Sequence, residues 1–298
     1  MWASLSRLGE SMYKNTILKG ELISFATEDR IPLHGFLVRN NTKKCIISVH
    51  GMGGNFYNST RLAYFTKTLK GFSIFSINTR GHDELSSTKK INGKKWIYTG
   101  TGTERFEDCV YDISAAISML WGMGFRQFVL MGHSTGCQKI AYYQYKRNDK
   151  RVKAMVLLGP ADDYGLRKAD KTEFRRAMSM VHSLEKIGKA DIPVQELGFF
   201  SAKRTLSVSD LRNAEARMFY YDGKLAEFSR IRVPICAVFG SDEEYRDRPV
   251  DEYLDILSKN THSKNYRSII IYGAGHSFAG YEEETAKSVG KWLDEVVR

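Results

Sequence analysis

A succession of short apolar runs, each separated from the next by a stretch with helical spacing, constrains this chain more than any other feature. Lys44-Cys-Ile-Ile-Ser-Val-His50, Phe72-Ser-Ile-Phe-Ser-Ile-Asn78, Gln127-Phe-Val-Leu-Met131 and Val152–Leu158 are nearly continuous in hydrophobicity. Such runs suit strands buried on both faces of a parallel sheet. Between them lie Ser59–Lys70, then Glu104–Met123 with Val110, Ile113, Ile117 and Leu120 at helical spacing, then Thr135–Arg147. Parallel strands need crossover connections, and helices of this length supply them, so an α/β architecture with a largely parallel sheet follows. Glu21–Thr27 and Leu33–Val38, parted by Glu28-Asp29-Arg30, read as a hairpin forming an antiparallel edge.

The rhythm breaks between Ala161 and Arg230, where charge and helix formers dominate and no strand is convincing. It resumes with Pro234–Phe239, a helix near Val250–Ser258, the strand Ser268–Tyr272 and an amphipathic helix from about Glu282. The expected organisation is a core formed by residues 1–160 and 231–298, with residues 161–230 inserted as a helical cap. The 298-residue length fits one large core carrying an insertion.

Composition excludes disorder: 42% of residues are hydrophobic and only 5 are proline. The net charge of +11 is spread among acids, with local concentrations at Arg167–Lys171, Arg175-Arg176, Lys89-Lys90 and Lys94-Lys95. It reads as a solvated basic surface; no nucleic-acid-binding motif accompanies it, and nucleic acid is not an expected partner. Cys45, Cys109, Cys137 and Cys236 lie in or beside apolar segments, as reduced structural thiols do. The start Met1-Trp-Ala-Ser-Leu-Ser-Arg-Leu-Gly has no long apolar stretch, and no run approaches the roughly 20 residues of a membrane span. A cytoplasmic protein is expected; oligomeric state is not addressed by any motif.

Gly132-His-Ser-Thr-Gly136 matches G-x-S-x-G, preceded by an expected strand and followed by an expected helix. In that context Ser134 sits on a strained strand-to-helix turn that only flanking glycines leave room for, and it becomes a candidate nucleophile. The alternative is a helix-capping serine. A serine hydroxyl needs a base. His276, in Gly273-Ala-Gly-His-Ser277 directly after the last strand, would reach the same sheet edge. The third member should be a carboxylate after an intervening strand. Asp242 is preferred, following the strand-ending Gly240 by two residues; Glu243 competes and Asp247 stands further off.

Tetrahedral intermediates need N–H donors aimed at the oxyanion. His50-Gly-Met-Gly-Gly54 follows the third strand, and the backbone N–H groups of Met52 and Thr135 are assigned this role. Taken alone, the glycine turn could equally bind phosphate. His50, Gly51 and His133 lie beside these loops and are expected to shape the substrate site, with His82 a further neighbour. Asp162 and Asp163, emerging after Leu158, are expected at its mouth, either touching substrate or forming a polar loop. Phe174, Met178, Met180, Leu184, Phe199 and Phe200 of the cap, with Met218–Tyr221, offer walls for an acyl or ring pocket or simply a core of their own.

His50-Gly-Met-Gly-Gly54, Asn78-Thr-Arg-Gly-His82, the Ser134 elbow, Asp242 and Gly275-His276 fall in an order that resembles the α/β-hydrolase superfamily from about Glu21 onward. The resemblance implies a mostly parallel central sheet flanked by helices, with a helical cap insertion, and a serine hydrolase. The extended elbow through Cys137-Gln138 and Tyr142-Tyr143, together with Asp242-Glu-Glu-Tyr245, is similar to the branch containing fungal siderophore esterases of the fusarinine C type. That similarity implies cleavage of a small-molecule carboxyl ester, bulky or cyclic esters and lactones included, without metal or organic cofactor. Thioesterases, acyltransferases and amidases share the same acyl-enzyme, and the architecture also hosts non-catalytic ligand receptors.

Overall fold

The structure, a computed structural model, describes residues 17–58 and 60–298. The reading of the first nine residues, and the start of the helix expected from Ser59, lie outside the described residues.

The chain opens with β1 (Glu21–Ala26), β2 (Pro32–Val38), β3 (Lys44–Val49), α1 (Arg61–Thr68) and β4 (Ser73–Ile77). A hairpin not anticipated from sequence follows, β5 (Ser86–Lys89) and β6 (Trp96–Thr99), then α2 (Cys109–Gly122), β7 (Gln127–His133), α3 (Thr135–Arg147) and β8 (Val152–Leu158). Helices α4 (Asp163–Ala169), α5 (Lys171–Lys186), α6 (Ala202–Ser209) and α7 (Ala214–Met218) come next, before β9 (Ile235–Gly240), α8 (Val250–Asn260), β10 (Tyr266–Ile271) and α9 (Glu282–Val296).

Eight strands form one sheet in the order β1-β2-β4-β3-β7-β8-β9-β10. β2 is antiparallel to both β1 and β4, and the pairs from β4 to β10 are all parallel. The continuous apolar runs are explained by what covers each face. Along β3, Cys45, Ile47 and Val49 join the cluster beneath α2, α3 and α8, while Ile46 joins the cluster beneath α1 and α9. β7 divides likewise, Phe128 and Leu130 to one side and Val129 and Met131 to the other. A strand with helices on both faces presents apolar side chains to each, with only small serines such as Ser48, Ser73 and Ser76 between them.

Parallel strands bring their carboxyl ends to one edge, and the loops after β3, β4, β7, β8, β9 and β10 collect there. The segment between β8 and β9 crosses it as helices. Asp170 caps α5 by accepting from the N–H groups of Thr172 and Glu173, and Ser201 caps α6. Val181, Leu184, Leu197, Phe200, Ala202 and Val208 make a separate small core. Ala214, Met218, Phe219 and Tyr221, by contrast, are buried in the main core. The expected cap span of residues 161–230 thus divides, and its last portion packs as part of the sheet's helical layer.

Candidate active site

The turn from β7 into α3 is built around Ser134, whose backbone adopts φ 53° and ψ −127°. A non-glycine residue rarely takes such angles, and here neighbouring contacts impose them. The Ser134 N–H donates to Leu158 O at 2.9 Å, locking the elbow to β8. A Cβ on Gly132 would lie 2.4 Å from the Gly136 backbone, and one on Gly136 would lie 2.3 Å from Val49 O. The two glycines of G-x-S-x-G are therefore required by close approach of backbone to backbone. Thr135 is the first residue of α3, so its N–H belongs to the helix turn that has no intrahelical acceptor.

His276 is held on every side. Its N–H donates to Glu244 Oε2 at 2.6 Å, and its carbonyl accepts from His133 Nε2 at 2.9 Å. Its ring packs edge-on to Tyr245 with centroids 4.8 Å apart. Nδ1 lies 2.8 Å from Glu243 Oε1 and 2.9 Å from Oε2. Tyr245 N–H donates to the same carboxylate at 3.0 Å. Glu243 is only 3% exposed.

Glu243, not Asp242, is therefore the carboxylate that meets the histidine. Asp242 follows Gly240 at the crest of β9 with its N–H bonded to Ala274 O and its side chain exposed, accepting from Ser241 Oγ at 2.8 Å. One residue further on, the chain has turned inward. Asp247 accepts from Tyr253 Oη at 2.6 Å and pairs with Arg248, away from the histidine. Gly159 was missed from the sequence. It has φ 59°, and a Cβ there would sit 3.0 Å from His276 Nδ1 and 3.4 Å from Glu243 Oε2. Only glycine lets the end of β8 back onto this pair. Its place directly after a buried strand, like Gly240 after β9, was the available signal.

The Met52 loop is fixed by His50. Nε2 accepts the Thr79 N–H at 3.1 Å, so the neutral ring carries its proton on Nδ1 and donates to Gly51 O at 2.8 Å. Burial, aided by the nearby Lys139 charge, drops the His50 pKa to about 3 and keeps the ring neutral. Gly51 C=O and Met52 N–H are opposite ends of one planar peptide, so anchoring the carbonyl fixes the direction of the N–H. A Cβ on Gly51 would lie 2.9 Å from Ser134 Cβ, which puts this loop directly against the elbow. The Met52 side chain packs on the small core of the insertion.

Thr79 Oγ1 in turn accepts from Lys139 Nζ at 3.2 Å, and Lys139 pairs with Glu104 at 2.7 Å. Glu104 lies 3.4 Å from Arg204, which is paired with Glu215. Burial alone would raise the Glu104 pKa, but Lys139 and Arg204 hold it below the ordinary range. These four buried charges join the insertion to the loop bearing Met52. No sequence motif announced Lys139 or Thr79 in this role.

The remaining expected contacts take other positions. His133 holds the back of the histidine loop; burial pushes its pKa well below the ordinary value. Asp162 is buried and accepts from the N–H groups of Gly165 at 2.7 Å and Tyr221 at 3.3 Å, so its carboxylate is committed to backbone. Asp163 accepts from Gln138 Nε2 at 2.9 Å. Both act as anchors of the insertion rather than as a polar mouth. His82 pairs with Asp83. Arg80 of the Asn78–His82 stretch binds the buried Asp112 and ties β4 to α2.

Among the described residues no hydrogen bond joins Ser134 Oγ to His276; the elbow meets the histidine loop through the adjoining His133, whose ring centroid lies 4.9 Å from that of His276. What meets at the edge is a strained serine, the glycine loop pressed against it, and an imidazole backed by a buried carboxylate.

A family model described as alpha/beta hydrolase fold matches residues 44–281. No curated protein matches the sequence. Solved structures with the same architecture include the siderophore hydrolase EstB from Aspergillus fumigatus, at TM-score 0.69 and 16% identity over 96% of this chain and 100% of that one. Est1E from Butyrivibrio proteoclasticus with ferulic acid bound aligns at TM-score 0.64 and 16% identity, covering 92% of this chain and 98% of that one. The Pyrococcus furiosus esterase Pf2001 aligns at 0.58 and 16%, covering 93% and 90%. Identities this low establish a common fold.

Proposed function

The chain belongs to the alpha/beta hydrolase fold family, and within it we propose a serine hydrolase of small-molecule carboxyl esters that passes through an acyl-enzyme on Ser134. The observation carrying this reading is the Glu243–His276 pair, buried against Gly159 and adjoining the strained Ser134 elbow.

Ser134 Oγ attacks the ester carbonyl carbon while His276 Nε2 takes its proton. Glu243 holds the proton on Nδ1 and stabilises the imidazolium that forms. The N–H groups of Met52 and Thr135 bind the oxyanion, and removing one such donor typically costs about 10²–10³-fold in kcat. The imidazolium returns its proton to the leaving alcohol. Water, deprotonated by the same imidazole, then attacks the acyl carbon; the bond to Ser134 Oγ breaks, the imidazolium returns its proton to that oxygen, and the acyl group leaves as a carboxylic acid. Every step uses groups of this chain.

The ester class is favoured by the relatives, two of which are named as a siderophore hydrolase and an esterase and a third of which holds ferulic acid. The helical insertion acts in this reading as a cap that excludes water and shapes a pocket for a bulky or cyclic ester. Tyr164, edge-on to both Phe174 and Tyr220, forms a half-buried aromatic wall suited to that task.

A fluorophosphonate probe should label the protein once, and Ser134→Ala should remove both labelling and turnover while leaving the thermal transition in place. Persistent labelling of that variant would refute the assignment. Tight ligand binding indifferent to Ser134→Ala, without turnover of any ester, would favour a receptor.

A further inference from the structure

The hairpin β5–β6 takes no part in the site just described, and its composition is not that of an ordinary surface hairpin. Its register pairs Thr88 with Ile97 and Lys89 with Trp96. Ile97 turns inward and packs against the main core. Ser87, Lys89, Trp96 and Tyr98 therefore share the outer face. A solvated strand face is ordinarily polar, yet Trp96 is 65% exposed and Tyr98 72%. Lys89 Nζ lies over the Trp96 ring, 5.1 Å from its centroid.

The connecting turn adds exposed Ile91, Lys94 and Lys95. From Leu85 to Thr103 the chain carries four lysines and no acidic residue. Lys90 lies 3.9 Å from Asp29; among the described residues Lys89, Lys94 and Lys95 have no carboxylate partner. The hairpin follows β4 and so stands at the carboxyl edge of the sheet, on the same side as Ser134. Its base meets the insertion where Ser201 N–H donates to Gly102 O at 2.8 Å. There the insertion contributes Phe199, also exposed, and the preceding loop exposes Ile187 and Ile192.

We propose that the outer face of this hairpin, with the adjoining rim of the insertion, docks on a membrane surface containing anionic lipid. Trp and Tyr favour the boundary between headgroups and acyl chains, where an apolar ring and a polar tip are both satisfied. Lysines beside them are drawn to the negative surface potential. Single-stranded nucleic acid would be held by stacked aromatics along a groove, and the aliphatic Leu85, Ile91, Ile187 and Ile192 do not serve that purpose. A second copy of this chain would set one lysine-rich face against another. Docking stands independently of ester hydrolysis, and its test can be run on Ser134→Ala protein.

The full chain is sedimented with vesicles of phosphatidylcholine alone and of phosphatidylcholine mixed with phosphatidylserine. Partitioning should be about tenfold stronger or more into the anionic vesicles and should weaken as salt is raised. The double variants Trp96→Ser/Tyr98→Ser and Lys94→Glu/Lys95→Glu should each lose about tenfold. Each should keep the thermal transition of the unmodified protein and, if the chain hydrolyses esters, its activity on a soluble short-chain ester. Equal partitioning into both vesicle types, no partitioning, or full partitioning of both variants overturns the proposal. A dimer converted to monomer by Trp96→Ser/Tyr98→Ser would assign the face to a second copy. Binding of a single-stranded oligonucleotide that the same variants abolish, without vesicle binding, would assign it to nucleic acid.

Discussion

The carboxyl edge of the sheet and the helical insertion above it are held by different forces. At the edge, contacts are tight: Gly132 and Gly136 mark places where backbone meets backbone and even one carbon would collide, Gly159 presses on the His276–Glu243 pair at positive φ, and Ser134 is kept in an unfavourable conformation by the strands around it. The insertion instead rests on a small apolar cluster and on the buried chain of Lys139, Glu104, Arg204 and Glu215. The first arrangement tolerates almost no change and fixes chemistry. The second depends on a few side chains and can be redrawn, which would suit the substrate-shaping cap of the proposed function.

The largest expected contrast lies within the edge itself. Glu243→Gln should lower kcat on a soluble ester by about 10³–10⁴-fold, because an amide cannot stabilise the imidazolium or enforce its tautomer. Asp242→Asn should change kcat less than about twofold, since among the described residues its side chain bonds only to Ser241. Comparable losses in both variants would erase the distinction.

Arg204→Met tests the insertion. It leaves Glu104 and Glu215 buried without their shared cation and should destabilise the protein by about 3–5 kcal/mol, read from urea or thermal unfolding. An unchanged midpoint would show that the chain of charges does not hold the insertion down.

His50→Phe lies between the two regions. Loss of the bond to Gly51 O leaves the Met52 peptide held only through the Gly54 N–H, so kcat should fall by up to about 10²-fold with KM nearly constant. His50→Asn, which keeps a donor, should recover part of it. A fall confined to KM would contradict a role in oxyanion binding.

The smallest effect is a pH dependence confined to the insertion. Burial first, and Glu215 next, raise the Asp163 pKa to about 7, against Arg167 and Arg204, which lower it. Burial likewise raises Asp162 to about 6. A carboxyl whose pKa is raised on folding holds its proton longer in the native state, so its contribution is intact below the unfolded value near 4 and is lost as pH rises towards 7. Asp163→Asn keeps an acceptor for Gln138 and removes that titration. Its Tm should match the parent's at low pH and exceed it by a degree or two, on the order of what a partly solvated group supports, at pH 8. A gap of the opposite sign would mean that Asp163 is stabilised as the anion.

What the sequence revealed and what it concealed follow the same division. Val152–Leu158 is one strand as expected, because parallel strands covered on both faces leave unbroken apolar runs. The elbow and His276 were legible because each follows such a run. The preferred carboxylate, Asp242, stands one residue short of its competitor Glu243, which is the one that meets His276: at the end of β9 the two differ only in which way a turn sends their side chains, and local pattern does not record that. Asp162 and Asp163 looked like a polar rim, whereas the fold commits one to backbone N–H groups and the other to Gln138. Lys139, Glu104, Arg204 and Glu215 meet only after distant segments pack, and charged residues scattered through a basic chain give no sign of it.

Asp162 touches both Gly165 and Tyr221, so the chain leaves the sheet and comes back to it at nearly one point. When the two ends of an excursion are already pinned together, lengthening what lies between them adds little closure entropy, roughly 0.6 kcal/mol for each doubling. The carboxylate thus works as a clasp, and behind it whole helices could be added, removed or exchanged among descendants of this gene while the machinery on the other side of the clasp stayed as it is.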